Sequence, residues 1–446
     1  MTKQSPRDRH GVYDASRRPL RCGGLSKGLP LAAAKKYKMT WYRSITSQQR
    51  RALLSASLGW MLDSMDIMLY AMILAHLMRD FGMSTATAGL MGSLTLFSSA
   101  AGGIVFGLIA DRFGRVKALM GSILVYSIFT GACGLSQDIV QLAIFRVLLG
   151  LGMGGEWATG AALVAETWPS EHRGKALGIM QSSWAVGYAL AAAITALVLP
   201  RWGWRAVFFV GVLPALLTFW IRRHVEEPEI WIKSIGEKKH LASRVGLSEI
   251  FRRPLLKDTL VTTLMNAGTM FAWWGLFTWI PAYLGLPAEQ GGMGMSVVKT
   301  STWIIVMQAG MWLGYVSFGF ICDRIGRKKT YIIYLFAASA LVIVYSSVRQ
   351  NTALLLLGPV VAFFGTGYFS GFGTITAEIF PTRIRASAQG FTYSIGRGLS
   401  ALAPFTSGAL AKGHGLALAF YLTAGFFLFS AFTAFALPET KGKSLD

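Results

Sequence analysis

Two aspartates, Asp63 and Asp66, stand three residues apart near the middle of an apolar run covering about residues 52–78. That spacing puts both near one face of a helix, and neither carboxylate faces lipid cheaply. Two neighbouring carboxylates in an apolar medium do not both ionise at low cost, so the pair suits a proton carrier. A structural pair satisfied by Ser, Tyr or backbone donors is the competing reading. Arg146 and Glu156 lie ten residues apart in a second apolar run. They are too far apart for one direct pair, being nearly three turns distant. Arg146 could pair with an aspartate of the first run, either as part of a proton switch or as a permanent brace. Glu156 follows Gly150, Gly152, Gly154 and Gly155, whose small size allows close helix contact. Arg397, between Gly396 and Gly398, offers a guanidinium that matches a carboxylate in a bidentate fork. It could instead brace an acid of another helix. Gln181, Asn266, Trp273, Trp274, Gln308 and Tyr368 also lie in apolar runs and could supply polar groups and aromatic walls around such a charge.

The elements that hold these residues are legible in composition. Of 446 residues, 53% are hydrophobic and 14% charged, well under the roughly 25% charge of soluble domains. Runs of the ~20 residues needed to cross a bilayer recur. They cover about 52–78, 86–110, 116–136, 139–165, 175–199 and 203–222, then 259–285, 297–321, 330–348, 352–377, 387–411 and 415–437. This predicts an all-α integral membrane protein of twelve transmembrane helices in two six-helix bundles, 51–222 and 259–437. Residues 1–50 read as a disordered basic cytoplasmic arm without a signal peptide's apolar core, 223–258 as a charged cytoplasmic linker and 438–446 as a cytoplasmic tail. The natural start of the domain is expected near Met39. A net charge of +22 raises the question of nucleic-acid binding. With the N-terminus cytoplasmic, however, 35 of the 43 Lys and Arg fall in the termini and even-numbered loops. That asymmetry is the positive-inside signature of a cell (inner) membrane protein, and no nucleic-acid partner is expected.

A repeat organises the chain. Gly107, Asp111, Arg112, Gly114 and Arg115 recur as Gly319, Asp323, Arg324, Gly326 and Arg327, each displaced by 212 positions. Glu166, Pro169 and Arg173 recur at the same offset as Glu378, Pro381 and Arg385. A duplicated six-helix unit, with its halves related by an axis along the membrane normal, is a known transporter architecture. The motifs read as a cytoplasmic gate. Asp111 and Asp323 could cap neighbouring helices, Gly114 and Gly326 allow tight turns, and Glu166–Arg173 and Glu378–Arg385 could hold the halves together. Arg397 has Ala185 as its repeat counterpart, so it breaks the symmetry as a ligand site should.

These motifs resemble the major facilitator superfamily, whose loop between helices 2 and 3 reads Gly-x-x-x-Asp-Arg-x-Gly-Arg. Arg146, Gly150, Gly152 and Gly154 also fit its helix-4 pattern, and the Glu-x-x-Pro-x-x-x-Arg motifs resemble its sugar- and organic-acid-porter branches. The segment Gly59–Asp66 is similar to the paired aspartates of its bacterial metabolite:proton symporters, including sialic-acid/lactate-type, niacin-type and, less closely, aromatic-acid symporters. The resemblance implies proton-coupled uptake of a small organic anion (a monocarboxylate, sialate, nicotinate or aromatic acid) by alternating access, in a monomer with no cofactor beyond the proton. A proton-driven exporter, a neutral-sugar carrier and a non-transporting sensor are the alternatives. No Walker sequence, metal spacing among the six histidines or catalytic triad context supports an ATP-driven pump, a metal site or an enzyme. Cys22, Cys133 and Cys322 imply no redox chemistry.

Overall fold

The computed structural model describes residues 45–229, 232, 247–253, 255–381 and 385–441. Most of the expected arm, the middle of the linker and the end of the tail lie outside the described residues. Thr46–Asp446 form one compact unit. Among the described residues every regular element is a helix, and nine helical segments are long and apolar enough to cross a membrane. The first half contains α1 (Ser47–Asp80), α2 (Thr85–Phe113), α3 (Arg115–Cys133), α4 (Ile139–Thr167), α5 (Ser170–Val210) and α6 (Ala215–His224). After a short 3₁₀ turn come α7 (Leu256–Phe277), α8 (Ile280–Gly285), α9 (Val297–Ile325), α10 (Arg327–Ser347) and α11 (Asn351–Gly367). The chain closes with α12 (Phe369–Ile379), α13 (Arg385–Ser400), α14 (Ala403–His414) and α15 (Leu416–Phe435).

Short polar side chains set the helix starts. Thr46 and Gln49 form a reciprocal capping box at α1, and Ser84, Asp138 and Ser296 each accept a backbone N–H at the first turn of α2, α4 and α9. Gly114 and Gly326 have φ of 116° and 110°, a region closed to most side chains. They divide α2 from α3 and α9 from α10, at repeat-equivalent positions.

Four predicted spans are built from two pieces. Residues 203–222 comprise the end of α5, a turn and α6; 259–285 divide into α7 and α8, 352–377 into α11 and α12, and 387–411 into α13 and α14. Proline explains two of these breaks. Pro281 and Pro404 lack the N–H that would bond the carbonyl four residues earlier. The carbonyl of Phe277, freed by Pro281, accepts the Tyr188 hydroxyl of α5 at 3.0 Å.

The packing follows the repeat. α1 to α6 pack chiefly on one another, as do α7 to α15, while α1/α8, α2/α14 and α5/α9 join the halves. Large apolar side chains such as Phe97, Ile104, Leu108, Phe320 and Leu356 point outward and are exposed, the inverse of a water-soluble surface. On the face remote from the loop motifs the halves meet backbone to backbone. A Cβ on Gly89 would overlap the Pro404 carbonyl oxygen, and one on Gly408 would overlap that of Thr85. The Phe405 N–H donates to Ser93 at 3.0 Å in the same seam.

Candidate functional site

A cavity of about 400 Å³, counting its open part, lies between the halves. Trp60, Gln181 and Trp184 line it from the first half; Met270, Trp273, Trp274, Tyr315, Phe369, Tyr393 and Arg397 line it from the second. The tryptophans form one cluster across the interface, with centroids 4.7 Å apart for Trp60–Trp184, 5.7 Å for Trp184–Trp273 and 4.8 Å for Trp273–Trp274. Such tilted and edge-on arrangements suit the ring quadrupoles. Trp157 of α4 stacks on Tyr393 of α13 with centroids 4.1 Å apart and planes 8° apart. This ring-to-ring contact joins the halves one turn from Arg397.

Arg397 is only 7% exposed. Among the described residues no carboxylate stands within ion-pair distance of it and no side chain or carbonyl accepts from its guanidinium. Gly396 makes its placement possible, because a Cβ there would lie 2.5 Å from the Asn266 amide nitrogen and 3.1 Å from the Ala267 nitrogen. The backbone of α13 therefore approaches α7 closely and leaves the arginine to the cavity.

The acids divide between two environments. Asp63 and Glu156 are fully buried, and the charge of Arg397 acts on both. Neither carboxylate has a hydrogen-bond partner among the described residues. Glu156 is seated on α1, where a Cβ on Gly59 would overlap its Oε1. Asp66 points instead into the first half, accepting from the Thr130 hydroxyl at 3.1 Å. The three-residue offset that puts both aspartates near one face still separates them by about 60°, which directs them to different neighbours. Arg146 forms no ion pair with a helix-1 aspartate; its guanidinium lies 3.8 Å from the Tyr70 ring centroid.

The remaining expected ligands are dispersed. Gln181, Trp273 and Trp274 join Arg397 at the cavity. Asn266 donates to the Thr392 carbonyl at 3.2 Å, and Tyr368 to that of Thr269 at 3.2 Å, so both are engaged within the second half. Gln308 is buried, its amide has no hydrogen-bond partner among the described residues, and it is not among the cavity-lining residues.

Among the described residues the loop motifs form ion pairs within each half. Arg115 pairs with Glu166 at 2.9 Å, and Arg327 with Glu378 at 3.2 Å and Asp323 at 2.6 Å. Each of these pairs lies within one half and so braces that half rather than bridging the two. The side chains of Asp111, Arg173 and Arg385 lie outside the described residues. Arg112 sits over Phe113, 5.4 Å from its ring centroid, and the Arg324 carbonyl accepts from Lys441 at 2.7 Å. Two further acids complete the braces. Glu227 accepts the backbone N–H groups that open α3 at Arg115, Val116 and Lys117, and Glu439 accepts that of Arg327 at the start of α10. They too are 212 positions apart.

The family model described as Major Facilitator Superfamily matches residues 56–317 and 286–445. The chain belongs to this superfamily. It is therefore a multi-pass membrane transporter, not an enzyme. It is 32% identical over 399 residues to the cis,cis-muconate transport protein of Acinetobacter baylyi, covering 87% of this chain and 94% of that protein. To the sialic acid transporter NanX of Escherichia coli it is 30% identical over 384 residues, covering 86% and 92%. Its fold superposes on a D-xylose-proton symporter with a TM-score of 0.71 at 19% identity, over 89% of this chain and all of the other.

For this superfamily transporter, sequence reasoning missed most of the cavity wall. Trp184, Tyr315 and Tyr393 carry no motif, and their only signal was helical spacing from Gln181, Gln308 and Arg397; Trp60 lies inside the Gly59–Asp66 segment but was not singled out as a site residue. Glu227 and Glu439 were detectable, since they share the repeat's offset.

Proposed function

We propose that this transporter couples inward proton flow to uptake of a small organic anion, with twelve spans in two six-helix bundles and both termini in the cytoplasm of an inner-membrane protein. The carrying observation is Arg397, a buried guanidinium with no carboxylate at ion-pair distance among the described residues, which lines a cavity between the halves. An unpaired buried charge is expensive, and an incoming carboxylate offsets that cost while gaining a bidentate, charge-assisted pair. The relatives' named cargoes, muconate and sialic acid, are both acids, in keeping with this reading. Tryptophan and tyrosine walls around one cation favour a flat, weakly hydrated acid such as nicotinate or benzoate over a heavily hydroxylated one. A neutral sugar leaves Arg397 unpaired. In transport, Asp63 or Asp66 takes a proton from outside, Arg397 holds the carboxylate, and the halves rock about the site. Neutralising both charges lowers the cost of the occluded state.

The test uses sealed vesicles holding the purified protein, with radiolabelled lactate, sialate, nicotinate and benzoate offered under an inward proton gradient. At least one acid should accumulate with the gradient and not without it. Arg397→Gln should raise its half-saturation concentration tenfold or more, and Arg397→Lys should cost less. Undiminished gradient-driven uptake in both Asp63→Asn and Asp66→Asn rules out the coupling role. Accumulation only under an outward gradient identifies an exporter.

A further inference from the structure

Outside the cavity, buried tryptophans follow the usual rule that an indole N–H shut away from water finds an acceptor. Trp168 Nε1 donates to the Gln49 carbonyl at 3.1 Å, Trp204 Nε1 to Asp80 at 2.7 Å and Trp279 Nε1 to the Pro404 carbonyl at 3.1 Å. Trp60, Trp184 and Trp273 break the rule. They are 3%, 4% and 2% exposed, and their N–H groups have no hydrogen-bond partner among the described residues. All three line the cavity between the halves.

These rings also stand together. Trp184 of α5 packs on Trp60 of α1 with centroids 4.7 Å apart, and on Trp273 of α7 at 5.7 Å. An indole donates one hydrogen bond and accepts none, so a cluster of indoles does not satisfy its own N–H groups. Leaving such a donor buried and unpaired is costly. The exceptions to the rule therefore collect where a ligand can supply the missing acceptors.

The cavity wall is lopsided in its chemistry. Arg397 and the indoles donate and do not accept, and no carboxylate is among the described residues that line it. A ligand that fits brings acceptors and few donors. Arg397 is also the single cation of that wall among the described residues, so one carboxylate uses the available charge. A second carboxylate would be desolvated with no cation to meet it, whereas a neutral acceptor takes an indole N–H without that cost. The two anchoring groups lie apart. Gly396, beside Arg397, packs on Ala267 of α7, and Trp273 is six residues further along that helix, roughly 9 Å at ~1.5 Å per residue.

We propose that the substrate carries, besides the carboxylate held by Arg397, a neutral hydrogen-bond acceptor at its far end (a carbonyl, lactone or ring nitrogen) that the indole N–H groups of Trp60, Trp184 and Trp273 receive. This names the substrate class of the site described above and rests on that reading. The indoles are then specificity-determining residues, and what they select for is an acceptor across a flat body from the acid.

The test is a matched set of acids titrated by calorimetry into the full-length protein in lipid nanodiscs. 4-Acetylbenzoate and 4-isopropenylbenzoate have the same shape, with C=O in one where the other has C=CH₂; terephthalate puts a second carboxylate at the same place. The ketone should bind about threefold or more tightly than the alkene, as one added hydrogen bond requires. Terephthalate should bind about tenfold or more weakly than the ketone. In at least one of Trp60→Phe, Trp184→Phe and Trp273→Phe the ketone-to-alkene ratio should fall to about one, a change that loss of packing alone does not produce because both ligands fill the same space. Equal binding of ketone and alkene, tightest binding of terephthalate, a ratio unaltered in all three variants, or no binding by any of the acids overturns the proposal. Should a phenylalanine variant not fold, 3-benzothienylalanine at that position keeps the ring and replaces only the N–H by sulfur; its ratio then takes the place of that variant's. Gradient-driven uptake of an acid by a protein that shows no ketone preference sinks this proposal and leaves the transport reading standing. The expected preference without uptake of any acid in vesicles does the reverse.

Discussion

Adding one methyl group at Gly89 should push the halves apart on the face remote from the loop motifs. A Cβ there would overlap the Pro404 carbonyl oxygen and stand 2.9 Å from the Phe405 Cα. Both obstacles are backbone, so no rotamer change relieves them and α2 or α14 must move as a body. Overpacking of this kind costs about 1–3 kcal/mol, and the lack of a flexible neighbour argues for the upper part of that range. The cost falls only on the state in which this seam is shut. The equilibrium between shut and open forms should therefore shift by about 5–150-fold towards open. Gly408→Ala attacks the same seam through the Thr85 carbonyl and the Trp279 ring, 2.7 Å away. Because Gly89 and Gly408 share one interface, the double variant should shift the equilibrium by less than the sum. Spin labels at positions 79 and 412, both exposed, report the opening by pulsed electron resonance. The long-distance fraction should grow in Gly89→Ala and Gly408→Ala. It should stay unchanged in Gly178→Ala, whose Cβ meets nothing within 4 Å. An unaltered or shortened distance distribution in both seam variants refutes the argument that this contact limits opening.

On the opposite side the Trp157–Tyr393 stack, worth about 0.5–1.5 kcal/mol, should act as a clasp. Trp157→Ala should speed labelling of Gln181→Cys by an impermeant thiol reagent in inside-out vesicles, in a background lacking Cys22, Cys133 and Cys322. Trp157→Phe should change it less, and an unchanged rate in Trp157→Ala counts against the clasp. Glu439 caps α10 beyond the last span. Its partial burial opposes ionisation, yet the backbone N–H groups of Arg327, Lys441, Lys328 and Lys329 outweigh it and hold the carboxyl below its usual 4.5. A depressed value means its stabilisation is present above the unfolded value and lost as pH falls through the folded one. Glu439→Gln should thus lower thermal stability by about 1 kcal/mol at neutral pH, with the difference from wild type shrinking below pH 4. A constant difference down to pH 3 rejects that origin. Gly154→Ala, whose Cβ would overlap the Ser99 carbonyl and stand 2.6 Å from the Gly103 nitrogen, should destabilise the α2–α4 seam by about 1–3 kcal/mol. A melting temperature equal to wild type speaks against that packing.

Much of the fold was written in patterns that local physics enforces. Apolar runs must become helices in lipid, since no water is there to satisfy a bare backbone. The 212-residue offset marks two equivalent halves, because motifs kept in register after duplication occupy equivalent turns. Four expected single spans are each in two pieces, and prolines explain two of those breaks. Pro281 was visible in the sequence, but that Tyr188 would take the freed carbonyl was not.

The site divides in the same way. Sequence alone determined which residues carry charge in the spans, Asp63, Asp66, Arg146, Glu156 and Arg397, because an ionisable group amid apolar neighbours announces itself by contrast. Only the tertiary structure decided their partners. It turned Asp66 inward to Thr130, set Arg146 over Tyr70, placed the ion pairs Arg115–Glu166, Arg327–Asp323 and Arg327–Glu378 inside single halves and left Arg397 facing a cavity. Helical periodicity says which residues share a face of one helix. What that face meets depends on how neighbouring helices are rotated and how closely glycines such as Gly59, Gly152 and Gly396 let their backbones approach, and that is a property of the whole packing.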